Sequence, residues 1–222
     1  MGEIDDLERN SKIIDKKNNV NYNELELLSN GLVYELTGFD SRKPGRAKIF
    51  DFYFNSPEDP AGRTMEWLVL NAGPHPSGAE NAMPVMRTML DITRRLVTEM
   101  SGVMAVGWEP LRSIMGRDYF CKIASDWANG GPFPVLGLTG LKETDDGALR
   151  SEGLAFFTGQ ELLMNAEIAE DRVSAAKLAV RLINELVGKA PVTEDTVIAG
   201  LTGEPLQLSL SSDGRLLRIG AA

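Results

Sequence analysis

Leu206, Leu208 and Leu210 alternate with polar residues, Asp213-Gly214 follows, and Leu217 and Ile219 resume the alternation. A period of two marks a strand with one buried face, and Asp-Gly is among the strongest signals for a tight hairpin turn. A two-residue loop at Asp213-Gly214 sets Leu210 opposite Leu217 and Leu208 opposite Ile219. Both pairs then fall on one face, so turn chemistry and hydrophobic pattern specify the same register. A chain ending this way must build a sheet and find something apolar to lay against it.

The covering layer is legible upstream. Val173, Ala176, Val180, Ile183 and Val187 recur at three- and four-residue spacing, and Ala179, Leu182 and Leu186 widen the stripe. This is the pattern of a helix lying flat on a sheet. Glu170-Asp171 stand at its start, where the helix dipole favours acids. A second helix is predicted over Pro84–Met100, capped by Asn81, with Val85, Met89, Ile92, Leu96 and Met100 inward. Flanking it, Trp67-Leu68-Val69-Leu70 reads as a central strand and Val103–Trp108 as the next. A parallel pairing of the two would require a right-handed crossover. A third helix is predicted over Arg117–Ala128, ended by Asn129-Gly130-Gly131-Pro132. Leu32–Leu36, Lys48–Phe54 and Phe133–Leu141 read as strands. The expected architecture is α+β: a mixed β-sheet with the two long helices packed on one face, plus the C-terminal β-hairpin. Residues 1–23 read as a polar extension, either a short surface helix or a mobile arm, and residues 24–222 as a single domain.

Composition narrows the function classes. With 32 acidic against 23 basic side chains, the net charge is -9. That is the wrong sign for a nucleic-acid binder, which needs a basic footprint on the phosphates. It suits a protein partner with a basic surface. One cysteine, Cys121, excludes an internal disulfide and fits a reducing cytoplasm. No apolar run approaches the roughly 20 residues of a spanning helix, so no membrane association is expected.

Candidate chemistry is sparse. The single histidine, His75, lies between Pro74 and Pro76 in a Gly/Pro-rich loop after a strand, a place where α/β folds put functional groups. The loop lacks the lysine and hydroxyl of a phosphate-binding motif, and its prolines equally suit a stiff turn. One histidine and one cysteine cannot complete a four-ligand zinc site, so neither metal nor cofactor is expected. Glu152, Glu161 and Glu167 flank or lie within strand-like runs, where carboxylates could serve as acid and base or hold a hard cation. Trp108, followed by Glu109 and Pro110, stands at a strand end, where a tryptophan belongs to the core or forms a binding platform.

A further reading comes from the order of features. AVGWEP (Ala105 to Pro110), the Tyr119-Phe120 helix, Gly153-Leu154 with Phe157 and Glu161, the long helix, and Glu194–Gly200 with Thr196-Val197-Ile198 succeed one another before the hairpin. Across residues 83–219 this order resembles the uncharacterised bacterial family called domain of unknown function 4261. The chain departs from the family pattern at Ser151-Glu152, where a threonine and a basic residue are common. The acid-rich strand of the family is here Glu161-Leu162-Leu163-Met164. The resemblance implies no activity and no catalytic residues. It implies an association with immunity-type or accessory proteins. The leading expectation is therefore a cytoplasmic, non-catalytic protein-binding module. A carboxylate-dependent, metal-assisted enzyme and a structural homodimer are the alternatives.

Overall fold

Pairing of alternating strands and burial of helical stripes assemble the chain into two compact units. The computed structural model describes residues 12–14, 24–39, 49–56, 66–73 and 82–222. Residues 1–107 and 114–131 form the first unit, and residues 108–113 and 132–222 the second. The α+β class holds, but among the described residues three sheets stand in place of the single mixed sheet expected, and the two long helices belong to different units.

In the first unit, strands β1 (Lys12–Ile14), β2 (Glu24–Ser29), β3 (Leu32–Thr37) and β5 (Val69–Ala72) form a sheet in the order β1-β2-β3-β5. Every pairing in it is antiparallel. Part of the expected polar extension is thus a strand, since Lys12–Ile14 pairs with Glu26–Leu28; the rest of residues 1–23 lies outside the described residues. Helix α1 (Met83–Glu99) packs Val85, Ile92 and Leu96 against Leu27, Tyr34 and Leu36 of this sheet. The buried Tyr34 hydroxyl donates to the Val85 carbonyl at 2.9 Å, and burial raises the Tyr34 pKa above its usual value. Ala82 occupies the N-cap position without a side-chain cap and Pro84 sits in the first turn; the expected cap, Asn81, lies outside the described residues.

The expected strand–helix–strand unit takes a different form. Among the described residues, strand β5 is an edge strand, not a central one, and β6 (Ala105–Trp108) belongs to another sheet with β4 (Phe52–Phe54) and β7 (Ser113–Gly116), ordered β4-β7-β6. Because β5 and β6 lie in different sheets, they do not form the parallel pair considered above. A short apolar run looks alike in a central strand and at an edge covered by a helix, so hydrophobicity alone could not choose. Helix α2 (Arg117–Ala128) falls where the pattern predicts it and packs on α1. Its first residue, Arg117, donates to the carbonyls of Met100, Val103 and Thr98, satisfying acceptors at the end of α1. Arg87 lies over the Trp127 ring at 4.3 Å and donates to the Trp127 carbonyl, joining the two helices by a cation–π contact.

The second unit is built on a six-stranded sheet: β8 (Gly140–Glu143), β9 (Leu149–Glu152), β10 (Glu161–Met164), β11 (Thr196–Ala199), β12 (Pro205–Leu210) and β13 (Leu216–Ala221). The order is β11-β12-β13-β10-β9-β8. The hairpin has the predicted register, Leu210 with Leu217 and Leu208 with Ile219. The turn is wider than two residues: the Gly214 N–H bonds the Ser211 carbonyl, and Gly214 has φ +71°. Strand β13 also pairs with β10, in parallel.

Three short helical turns, α3 (Val135–Leu138), α4 (Ala155–Thr158) and α5 (Ala166–Ala169), punctuate the connections, and the long α6 (Arg172–Leu186) follows. The stretch Phe133–Leu141, read as a strand, is divided between the turn α3 and the start of β8. Helix α6 is capped by Asp171, whose carboxylate accepts from the N–H groups of Val173 and Ser174. Its buried stripe is Ala175, Leu178, Ala179, Leu182 and Ile183, rotated from the predicted one, and Val173 is 63% exposed.

Alternation then does the rest. Leu149, Leu162, Met164, Leu206, Leu208, Leu217 and Ile219 share one buried face of the sheet. Helix α5 lies on β13 and on α6, and Arg181 of α6 donates to the carbonyls of Ala199 and Gly200, which ties the helix to the sheet. The opposite face of the sheet faces solvent.

Substituting Gly214 by alanine should cost about 1–2 kcal/mol, because an L side chain is strained at that positive φ. Urea unfolding of the two proteins would measure it, and equal midpoints would contradict the turn geometry.

Candidate functional site

The polar corner where β9 turns into α4 gathers two of the candidate carboxylates, Glu152 and Glu161. The β9–β10 ladder runs through Leu163–Arg150 and Met164–Leu149. One step further it changes: the Leu162 N–H bonds the Ser151 hydroxyl at 2.7 Å rather than a backbone carbonyl. Ser151, 1% exposed, passes its own hydrogen to Glu161 Oε2. Gly153, at φ +81°, then swings the chain so that the Ala155 N–H reaches Glu161 Oε1 at 3.0 Å. Both carboxylate oxygens are thereby engaged with groups of the fold. Burial raises the Glu161 pKa, with the bonds from Ser151, Ala155 and Leu154 and the charge of Arg150 acting in the opposite direction.

A partly buried acid with a raised pKa is a common mark of an acid–base catalyst. The geometry engages both Glu161 oxygens in bracing a tight strand-to-turn corner. Glu152 stands at the same end of the sheet but approaches Lys142, at 3.9 Å. Glu167 lies exposed on α5, beyond the other end of β10. The structure therefore brings Glu152 and Glu161 to one corner and leaves Glu167 elsewhere. His75 lies outside the described residues. Among the described residues, no group of three or more His, Cys, Asp or Glu side chains could hold a metal ion.

Trp108 is half-buried beside this corner. Its indole N–H donates to the Leu138 carbonyl at 3.0 Å. Its ring meets Phe156 edge-on at 5.4 Å and lies near-parallel to Phe157 at 6.1 Å, and Phe157 in turn contacts Phe133. The tryptophan is thus an anchor of an aromatic cluster, with the Ser113 hydroxyl donating to Gly137 close by in sequence to Trp108. Glu109 follows in an exposed turn closed by the Arg112 N–H on its carbonyl.

Sequence reading missed the open face of the sheet. Successive ladder partners run Lys142–Arg150–Leu163–Arg218–Ser209 across β8, β9, β10, β13 and β12. Partners in register project on the same side. Lys142, Arg150 and Arg218 are exposed, and Leu163 lies half-buried among them. Strands β8, β9 and β13 each carry a visible cation, but the row exists only once strands distant in sequence are paired.

The acidic excess is used differently. Asp146, Asp171, Glu204 and Asp213 each accept from hydroxyls and backbone N–H groups of their own turns, and their pKa values are lowered by these bonds. Asp195 accepts from the Leu210 N–H. Much of the negative charge in this unit is local capping.

The fold and corner define a two-unit α+β protein whose second unit is an open-faced mixed sheet backed by helices. Comparison with known protein families, with curated proteins and with solved structures finds no match. Among the described residues, no helix is long and apolar enough to cross a membrane.

Two substitutions probe the corner. Ser151→Ala orphans the buried Leu162 N–H and should destabilise by about 1–3 kcal/mol. For Glu161 the sign follows from its raised pKa. Its protonated form is favoured by folding, so its stability contribution is fully present below the ordinary value of 4.5 and is lost as pH rises through the raised value. Glu161→Gln should therefore gain stability relative to the wild type as pH rises from about 4 to 7. Chemical denaturation across that range would reveal it; a constant difference would contradict the burial argument.

Proposed function

We propose that this chain is a non-catalytic protein-binding module of the bacterial cytoplasm, of the immunity or accessory type implied by its resemblance to domain of unknown function 4261. One observation carries the reading: the six-stranded sheet buries a single face and leaves the other open, with half-buried Leu163 and Leu216 among exposed charged side chains. Antiparallel-rich sheets tolerate a solvated face, but this one offers an apolar centre with a charged surround, the pattern of interface cores and rims. Val197, 59% exposed on the edge strand β11, extends the apolar character of the same face through its pairing with Gln207. The engagement of both Glu161 oxygens supports the non-catalytic part of the reading.

The test is capture from a bacterial lysate on the tagged full-length chain, followed by purification and amide hydrogen exchange of the recovered complex. A stoichiometric complex that protects β9, β10 and β13 is expected. Protection confined to residues of the first unit would remove the open face from the reading. Retention of nothing but a second copy, with a doubled mass in solution, would favour the structural homodimer.

A further inference from the structure

The cationic row on the open face runs against the composition of the chain. Acidic side chains outnumber basic ones 32 to 23, yet the row Lys142–Arg150–Leu163–Arg218–Ser209 contains three cations and no acid. Lys142 and Arg150 are direct cross-strand partners. Like charges in that position destabilise a sheet, whereas opposite charges stabilise it. Folding alone would favour an acid at one of the two positions.

The neighbouring acids do not cancel the row. Glu152 approaches only Lys142, at the outer limit of an ion pair. Glu161 feels the charge of Arg150, as the smallest of the influences on it, and its two oxygens are engaged by Ser151 and Ala155. Asp146 feels Arg218 but bonds to Thr144 and Ala148 of its own turn. From β8 to β13 the cations span about 14 Å, at the usual strand spacing. Leu163 lies between Arg150 and Arg218 in the row, and Leu216 lies one strand over from Glu161 on the same face.

We infer that this row is a docking surface for an acidic polypeptide segment that sets an apolar side chain against Leu163 and Leu216 and carboxylates against Lys142, Arg150 and Arg218. The inference rests on the protein-binding reading and adds the chemistry of the partner. Charge complementarity selects an acidic partner at this face, opposite in sign to what the net charge alone suggests. The apolar centre favours a polypeptide over a nucleic acid, and the net charge of -9 repels a polyanion that lacks apolar contacts.

The probe is a fluorescein-labelled peptide in which leucines alternate with pairs of glutamates, titrated into the full-length chain by fluorescence anisotropy. A lysine-for-glutamate peptide and an oligothymidylate serve as comparisons. The acidic peptide should bind, more weakly as salt rises, and the basic peptide should not. The double variant Arg150→Gln/Arg218→Gln should lose about tenfold or more in affinity, and Leu163→Gln should weaken the acidic peptide. Arg150→Gln alone should melt at the same temperature as the wild type or higher, since it relieves the contact with Lys142.

Three results would overturn the inference: no binding of the acidic peptide, equal binding by the double variant, or a melting temperature that falls in Arg150→Gln. Oligothymidylate bound as tightly and indifferent to Leu163→Gln would also overturn it, marking a general polyanion surface. A lysate partner retained equally by wild type and double variant would end this inference while leaving the protein-binding reading intact.

Discussion

Strand β13 holds the second unit together because it is paired on both sides in opposite senses, antiparallel to β12 and parallel to β10. Its alternation is strict. Leu217 and Ile219 are fully buried, and Arg218 between them is exposed. A shift of one residue would bury the guanidinium and expose two apolar side chains, a cost of several kcal/mol that no turn could offset. The register of β13 therefore dictates which side chains of β10, β9 and β8 enter the core, through ladder partners whose side chains share a face. It equally dictates what stands on the other side.

That double consequence links folding to the proposed function. The buried face is apolar apart from Ser151 and is backed by α5 and α6, so the unit gains its stability there. The open face is relieved of any packing duty, and its residues can be chosen for other ends. A Lys–Arg cross-strand pair costs a few tenths of a kcal/mol to about 1 kcal/mol, small against the burial of the opposite face. A sheet with one strongly packed face can tolerate such a charge arrangement on the other.

The corner at Ser151, Gly153 and Glu161 follows from the way the strand connection folds. The β9–β10 connection includes a helical turn of only four residues, so the chain must reverse sharply and leave backbone donors without regular partners. Ser151 and Glu161 accept those donors. A carboxylate placed there is partly buried as a by-product, and its pKa rises. The aromatic cluster of Trp108, Phe133, Phe156 and Phe157 contributes apolar packing to the same unit.

Sequence by itself determined what is local. The helices at Met83–Glu99, Arg117–Ala128 and Arg172–Leu186 and the hairpin register follow from spacing, capping and turn chemistry, all confined to a few neighbouring residues. Glu161 was legible as a strand carboxylate, but its bonds to Ser151 and Ala155 depend on a bend that Gly153 makes and no periodicity encodes. The division into two units, the edge position of β5, and the parallel pairing of β10 with β13 were decided only by tertiary structure. They join segments far apart in the chain, where hydrophobic pattern offers several partners of nearly equal merit. The row of Lys142, Arg150 and Arg218 belongs to that second kind: each cation is visible as a polar residue in an alternating strand, and only the order of the strands sets them side by side.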